Sequence, residues 1–129
     1  MLIPLAVYVL AVSGPSGLLV FDEPFLTLSM ISGATVTLDQ ADALAALGIV
    51  MLFVEVVKST RIGFAPIADH ILSVLTLIIF IVSLIVWTPA ATGLFALLTL
   101  LALVDVLAGL WISLNVARRD VAISPGGSF

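Results

Sequence analysis

Three ionisable side chains stand inside long apolar stretches: Glu55 in LGIVMLFVEVV, His70 at the start of HILSVLTLIIF, and Asp105 in LLALVDVLAGL. In hydrocarbon each such group costs at least ~2.5 kcal/mol by insertion scales, so each needs a reason to be there. Carboxylates and an imidazole at one depth can bind and release a proton or hold a small cation, and the hydroxyls of Ser73 and Thr76 could extend such a site. A divalent metal is a weaker fit, because neither HExxH nor a paired Glu-x-x-His accompanies these residues; no metal and no cofactor are expected. The chain has no cysteine, which excludes disulfides, thiolate zinc sites and CxxC redox pairs. No Gly-x-Ser-x-Gly, P-loop or Ser-His-Asp signature is present, so the expectation is a protein that is not an enzyme.

The elements that must position these groups follow from composition. Of 129 residues, 63% are hydrophobic and 9% charged, and the mean hydropathy is +1.40. A soluble domain is about half apolar and about a quarter charged, so the chain reads as an integral membrane protein. With four basic residues and a net charge of -4, no basic patch could follow a phosphate backbone, and nucleic acid is not an expected partner. The fold class expected is an all-α membrane protein: a four-transmembrane-helix bundle with a short extracytoplasmic β-hairpin or loop between helices 1 and 2. The spans fall at about 2–20, 40–60, 66–87 and 91–116, all within a single bundle of residues 1–117. Residues 118–129, polar and containing Gly and Pro, are expected to be a flexible cytoplasmic tail.

Local signals refine the limits. Gly14, Pro15 and Gly17 interrupt the first apolar run and predict a kink or early helix end near Ser13. The segment 25–38, FLTLSMISGATVTL, alternates apolar and polar residues into and out of Ser32-Gly33, a hairpin pattern at the membrane surface. Asp39 offers an N-cap to the second span, with Asp42 in its first turn. Pro66 suits the first turn of the third span, and Trp87 suits an interfacial anchor at its other end. Lys58 and Arg61 follow span two, and Arg118 and Arg119 follow span four. The positive-inside rule puts that end in the cytoplasm, together with both termini, and the hairpin outside.

Helix geometry sets depth and facing. Glu55 and Asp105 both lie roughly 22 Å from the outer ends of their spans, and His70 lies about 6 Å from the inner end of span three. On span two, Ala41, Ala45, Gly48, Leu52 and Glu55 share one stripe whose small members admit a neighbouring helix; Leu52 is bulky, which limits close approach at the level of the acid. On span four, Ala102, Ala108 and Gly109 surround Asp105 at neighbour spacing, and on span three Asp69, Ser73, Thr76 and Ser83 form a polar stripe. One reading makes Glu55, Asp105 and His70 an ion step in a small proton or cation transporter or channel component. The reading the sequence favours pairs Glu55 with Lys58 and makes Asp105 and His70 interhelical glue. It gives an accessory or scaffold protein whose partners are the lipid bilayer and other membrane chains or further copies of itself.

The pattern FVEVVKSTRIG (Phe53 to Gly63), then Asp69-His70, then LVDVLAG (Leu103 to Gly109) and Ala117-Arg118-Arg119-Asp120 resembles a family of uncharacterised small four-span inner-membrane proteins of alphaproteobacteria. The resemblance covers most of the chain. It implies a multi-pass protein of the bacterial inner membrane and carries with it no catalytic residue, substrate or cofactor.

Overall fold

A computed structural model describes the backbone of residues 1–60 and 64–123, with side chains described for 1–60 and 67–119. The chain is mostly helical. It runs through α1 (Leu2–Val12), a 3-10 segment (Gly17–Asp22), β1 (Pro24–Ser29), β2 (Thr35–Asp39), α2 (Gln40–Ser59), α3 (Phe64–Val86), a 3-10 turn (Thr88–Ala90) and α4 (Gly93–Ile123). Three helices, α2, α3 and α4, are long and apolar enough to cross a membrane.

The expected first span over 2–20 is corrected. Its helix ends at Val12, where the Ser13 hydroxyl donates to the Val9 carbonyl at 2.7 Å. The chain then turns through Gly14 and Gly17, the latter at φ +54°. Eleven residues rise only ~17 Å, about half of a ~30 Å hydrocarbon layer. The breakers that predicted an early end therefore make α1 a half-length helix that packs against the bundle through Pro4, Leu5 and Tyr8. The expected tail also begins later than residue 118. Residues Arg118–Ile123 continue α4, since no helix breaker intervenes before Pro125 and the chain up to there can keep its backbone hydrogen bonds. The remainder of that tail, 124–129, lies outside the described residues, as do Arg61 and Gly63 of the turn expected after span two.

Helix directions follow from the pairs that touch. Gly48 of α2 meets Leu98 and Leu101 of α4, and Ser59 of α2 lies near Gly109 of α4, so α2 and α4 run parallel. His70, early in α3, lies against Gly109, whereas Phe80, later in α3, packs on Phe95, early in α4; α3 is antiparallel to both. Met1 pairs with Glu55 and Tyr8 bonds to Thr92, so α1 runs alongside α3's direction. Lys58, Arg118 and Arg119 consequently share one end of the bundle. The hairpin and the turn around Thr88 share the other.

The segment expected to be a hairpin is one. β1 and β2 pair antiparallel, with Leu26 opposite Leu38, Thr27 opposite Thr37, Leu28 opposite Val36 and Ser29 opposite Thr35, and an irregularity at Phe25. Gly33 takes φ +83° in the turn, a conformation that a residue with a Cβ rarely adopts, and its N–H donates to the Met30 carbonyl at 3.0 Å. This register puts Leu26, Leu28, Val36 and Leu38 on one face and four hydroxyls on the other. Leu26, Leu28 and Val36 of the apolar face are exposed, and only Leu38, next to the start of α2, is half-buried. The strand feeds directly into a membrane-length helix. Asp39 accepts from Asp42 N–H at 3.0 Å while Asp42 accepts from Asp39 N–H at 3.2 Å, a reciprocal cap that starts α2.

The core draws on all four helices, Leu44 of α2 included, and has an aromatic cluster at its centre. Tyr8 stacks on Phe21 at 5.0 Å and meets Phe95 edge-on at 4.8 Å, and Phe95 lies 5.2 Å from Phe80. On α3 the row Ile71, Leu75, Ile78, Val82 and Ile85 is exposed, one turn after another along a single face. Such a face suits lipid, where apolar side chains need no protein cover.

Candidate functional site

The stripe that carries Glu55 also carries Gly48, and Gly48 is where α2 meets α4: a Cβ there would stand 3.0 Å from the methyls of Leu98 and Leu101. Ala102, 1% exposed, continues the contact on α4. Ala41 is partly buried against the core and Ala45 is half-buried. At the other end Gly109 gives room to His70, whose Nδ1 would be only 2.9 Å from an added Cβ, with Ser59 Oγ at 3.7 Å. The two helices are thus close both above and below the acids. Leu52, expected to hold them apart at that depth, is itself partly buried and packs beside the core instead.

Between these contacts is a small cavity of about 110 Å³, lined by Glu55, Asp105, His70, Ser73, Thr76 and residues of the α1 start and α2 end. All five residues that the sequence singled out for an intramembrane polar site therefore border one space. Asp105 is 4% exposed and Thr76 2%, whereas Glu55 and His70 are half-buried. The carboxyl groups of Glu55 and Asp105 border the same cavity. Thr76 Oγ1 donates to the Leu72 carbonyl at 2.8 Å, which leaves its lone pairs facing the cavity.

The pairing expected between Glu55 and Lys58 does not form among the described residues; Lys58 is exposed at the cavity rim. Glu55 Oε1 is held instead by the amino group of Met1, which α1 brings into the bundle. The sequence reading missed this partner, since a backbone amine carries no side-chain signal and only the fold of α1 against α2 brings it there. It missed Tyr8 as well, whose hydroxyl donates to the Pro89 carbonyl at 2.8 Å and lies 2.8 Å from Thr92 Oγ1. The pairing of a Tyr in one apolar run with a Thr after another was the available signal.

What the arrangement can do follows from its open valences. Glu55 Oε2 and Asp105 Oδ2 are both buried, and neither has a hydrogen-bond donor among the described residues. A buried acceptor without a donor costs about 1–3 kcal/mol, more if charged, so the pair calls for a proton or a cation between them. A multidentate metal site is not formed: no group of three or more His, Asp or Glu converges among the described residues, because His70 turns toward Gly109. Comparison of the chain with protein-family models, curated proteins and solved structures finds no match, and the site is read from its own geometry.

Proposed function

We propose that this chain is a small membrane component that binds a proton, or a small cation in its place, at the Glu55–Asp105 pair. The observation that carries the reading is the pair of buried, donorless oxygens on facing helices. Two carboxylates bordering one small cavity in low dielectric repel, and one shared proton relieves both the repulsion and the missing hydrogen bond. Thr76 and Ser73 supply neutral oxygens to the same cavity, and His70 stands at its wall. The interhelical-glue reading predicts a different outcome in the same experiment.

In that experiment Asp105→Asn is compared with the unmodified protein in detergent by infrared spectroscopy across pH. An amide can still bond to Glu55 but cannot lose or gain the proton. The expected result is a protonated-carboxyl component, over and above that of the exposed acids, that titrates in the unmodified protein and is absent from a folded Asp105→Asn variant. If no such component titrates and the variant behaves as the parent, the acids are glue, and the accessory or scaffold reading replaces this one.

The orientation proposed follows the basic residues. The end that carries Lys58, Arg118 and Arg119 faces the cytoplasm and the hairpin faces out; the resemblance to the alphaproteobacterial family supports a bacterial inner membrane. Because the chain has no cysteine, single substitutions give a clean test. A reagent that cannot cross membranes should modify Ser32→Cys in intact cells and leave Ser128→Cys unmodified until the cells are opened. The reverse pattern would invert the topology.

A further inference from the structure

We infer that the Glu55–Asp105 site exchanges its ligand with one face of the membrane only, the face that carries Lys58 and Asp69, and so serves as a one-sided proton-responsive site and not as a conduit. This inference rests on the proton-binding reading above and adds to it where the proton comes from.

The cavity is polar toward one end. Beyond the acids it is bordered by Ser59 and Lys58 from α2 and by His70 and Asp69 from α3, and both Lys58 and Asp69 are exposed. The charged or titratable groups around the pair are thus the Met1 amine from α1, Lys58 from α2, and Asp69 and His70 from α3; α4 offers none besides Asp105 among the described residues. These polar groups line the cavity between the pair and that surface.

Toward the other end the route stops. The polar stripe of α3 runs from Thr76 to Ser83, but Phe80 stands between them, and Phe80, Phe95 and Leu98 are fully buried in mutual contact with the aromatic cluster. From Thr76 to Ser83 is ~10 Å of helix rise, longer than a single hydrogen bond can bridge. Thr99, beside this layer, spends its hydroxyl on the Phe95 carbonyl at 2.8 Å. Tyr8 aims its hydroxyl at Pro89 and Thr92, away from the acids. A proton needs a continuous chain of donors and acceptors, and a dry layer of close-packed rings supplies none.

The test uses single cysteines in this cysteine-free chain, in sealed membrane vesicles, with a charged thiol reagent that cannot cross the bilayer. Ser73→Cys replaces a hydroxyl on the cavity wall with a thiol of similar size, and cysteines at Ala117 and Ser32 mark the two faces. Ser73→Cys should be labelled from the side that labels Ala117→Cys and lose all labelling from the side that labels Ser32→Cys. Labelling from the Ser32 side, or from neither, overturns the inference. A second measurement does not depend on the new cysteine: vesicles of the unmodified protein under an imposed potential should leak protons no faster than vesicles of Asp105→Asn. A leak that Asp105→Asn removes would make the pair a conduit, which overturns one-sided access while the titrating carboxyl band still upholds proton binding. Absence of that band is the separate failure, of the binding reading itself.

Discussion

Tyr8→Ala should release α1 from the bundle. The Tyr8 ring is 0% exposed, stacks on Phe21 at 5.0 Å, and meets Phe95 and Trp87 edge-on at 4.8 and 6.4 Å. Its hydroxyl ties α1 to the turn between α3 and α4 through Pro89 and Thr92. Truncating a buried aromatic costs about 3–5 kcal/mol in a soluble core, where lost contacts, a cavity and lost transfer energy add together. Within lipid the transfer contribution shrinks, because acyl chains are as apolar as the core, so the cost here is packing plus the two polar contacts, on the order of 3 kcal/mol. Besides Tyr8, this helix of eleven residues, too short to span alone, is held by buried Pro4 and Leu5 and by the Met1–Glu55 pair. The unfolding midpoint of the variant in detergent should fall well below that of Tyr8→Phe, which loses only hydrogen bonding, about 1 kcal/mol. The same substitution should loosen the Met1–Glu55 ion pair and alter the titration of the carboxyl pair at a distance. Equal stability of the Ala and Phe variants would show that α1 is not held by this ring.

Gly48→Leu should force α2 and α4 apart. A single Cβ at Gly48 already reaches 3.0 Å from Leu98 and Leu101 side chains, contacts that flexible leucine tips can relieve by moving a few tenths of an ångström. Gly48→Ala should therefore be nearly tolerated. A leucine there has no volume to occupy, and overpacking of this kind costs about 1–3 kcal/mol or more. Glu55 lies two turns farther along the same stripe, so separating the helices also separates it from Asp105. The expected series is a stepwise loss of thermal stability from Ala to Val to Leu, with the titrating carboxyl band weakening in the same order. Tolerance of leucine without either change would mean that the α2–α4 contact is not what sets the distance between the acids.

Much of this architecture is legible in local sequence for a physical reason: in lipid the backbone must satisfy itself within each segment, so length and apolarity alone determine where α2, α3 and α4 run. The Asp39 cap is legible for the same reason, since its partner Asp42 is three residues away. The alternation into Ser32-Gly33 likewise specifies the hairpin, because strand pairing across a short turn is nearly local. What it does not specify is whether the hairpin's apolar face meets protein, and the fold leaves most of it uncovered.

The sequence by itself determined that three stretches are long and apolar enough to cross a membrane and that Glu55, Asp105 and His70 lie near one level along the helices, because a helix rises a constant 1.5 Å per residue and level is therefore a matter of counting. Azimuth is not. The rotation of each helix is set by contacts with residues distant along the chain, and only the tertiary structure decided that Glu55 turns to Asp105 and the Met1 amine and not to Lys58, one turn along its own helix. The sequence also carried a breaker at Gly14, but how the half-length helix before it would be used depended on Tyr8 finding Phe21, Phe95 and Thr92. Packing around that ring brings α1 into the bundle, closes one end of the acidic site and leaves the other open.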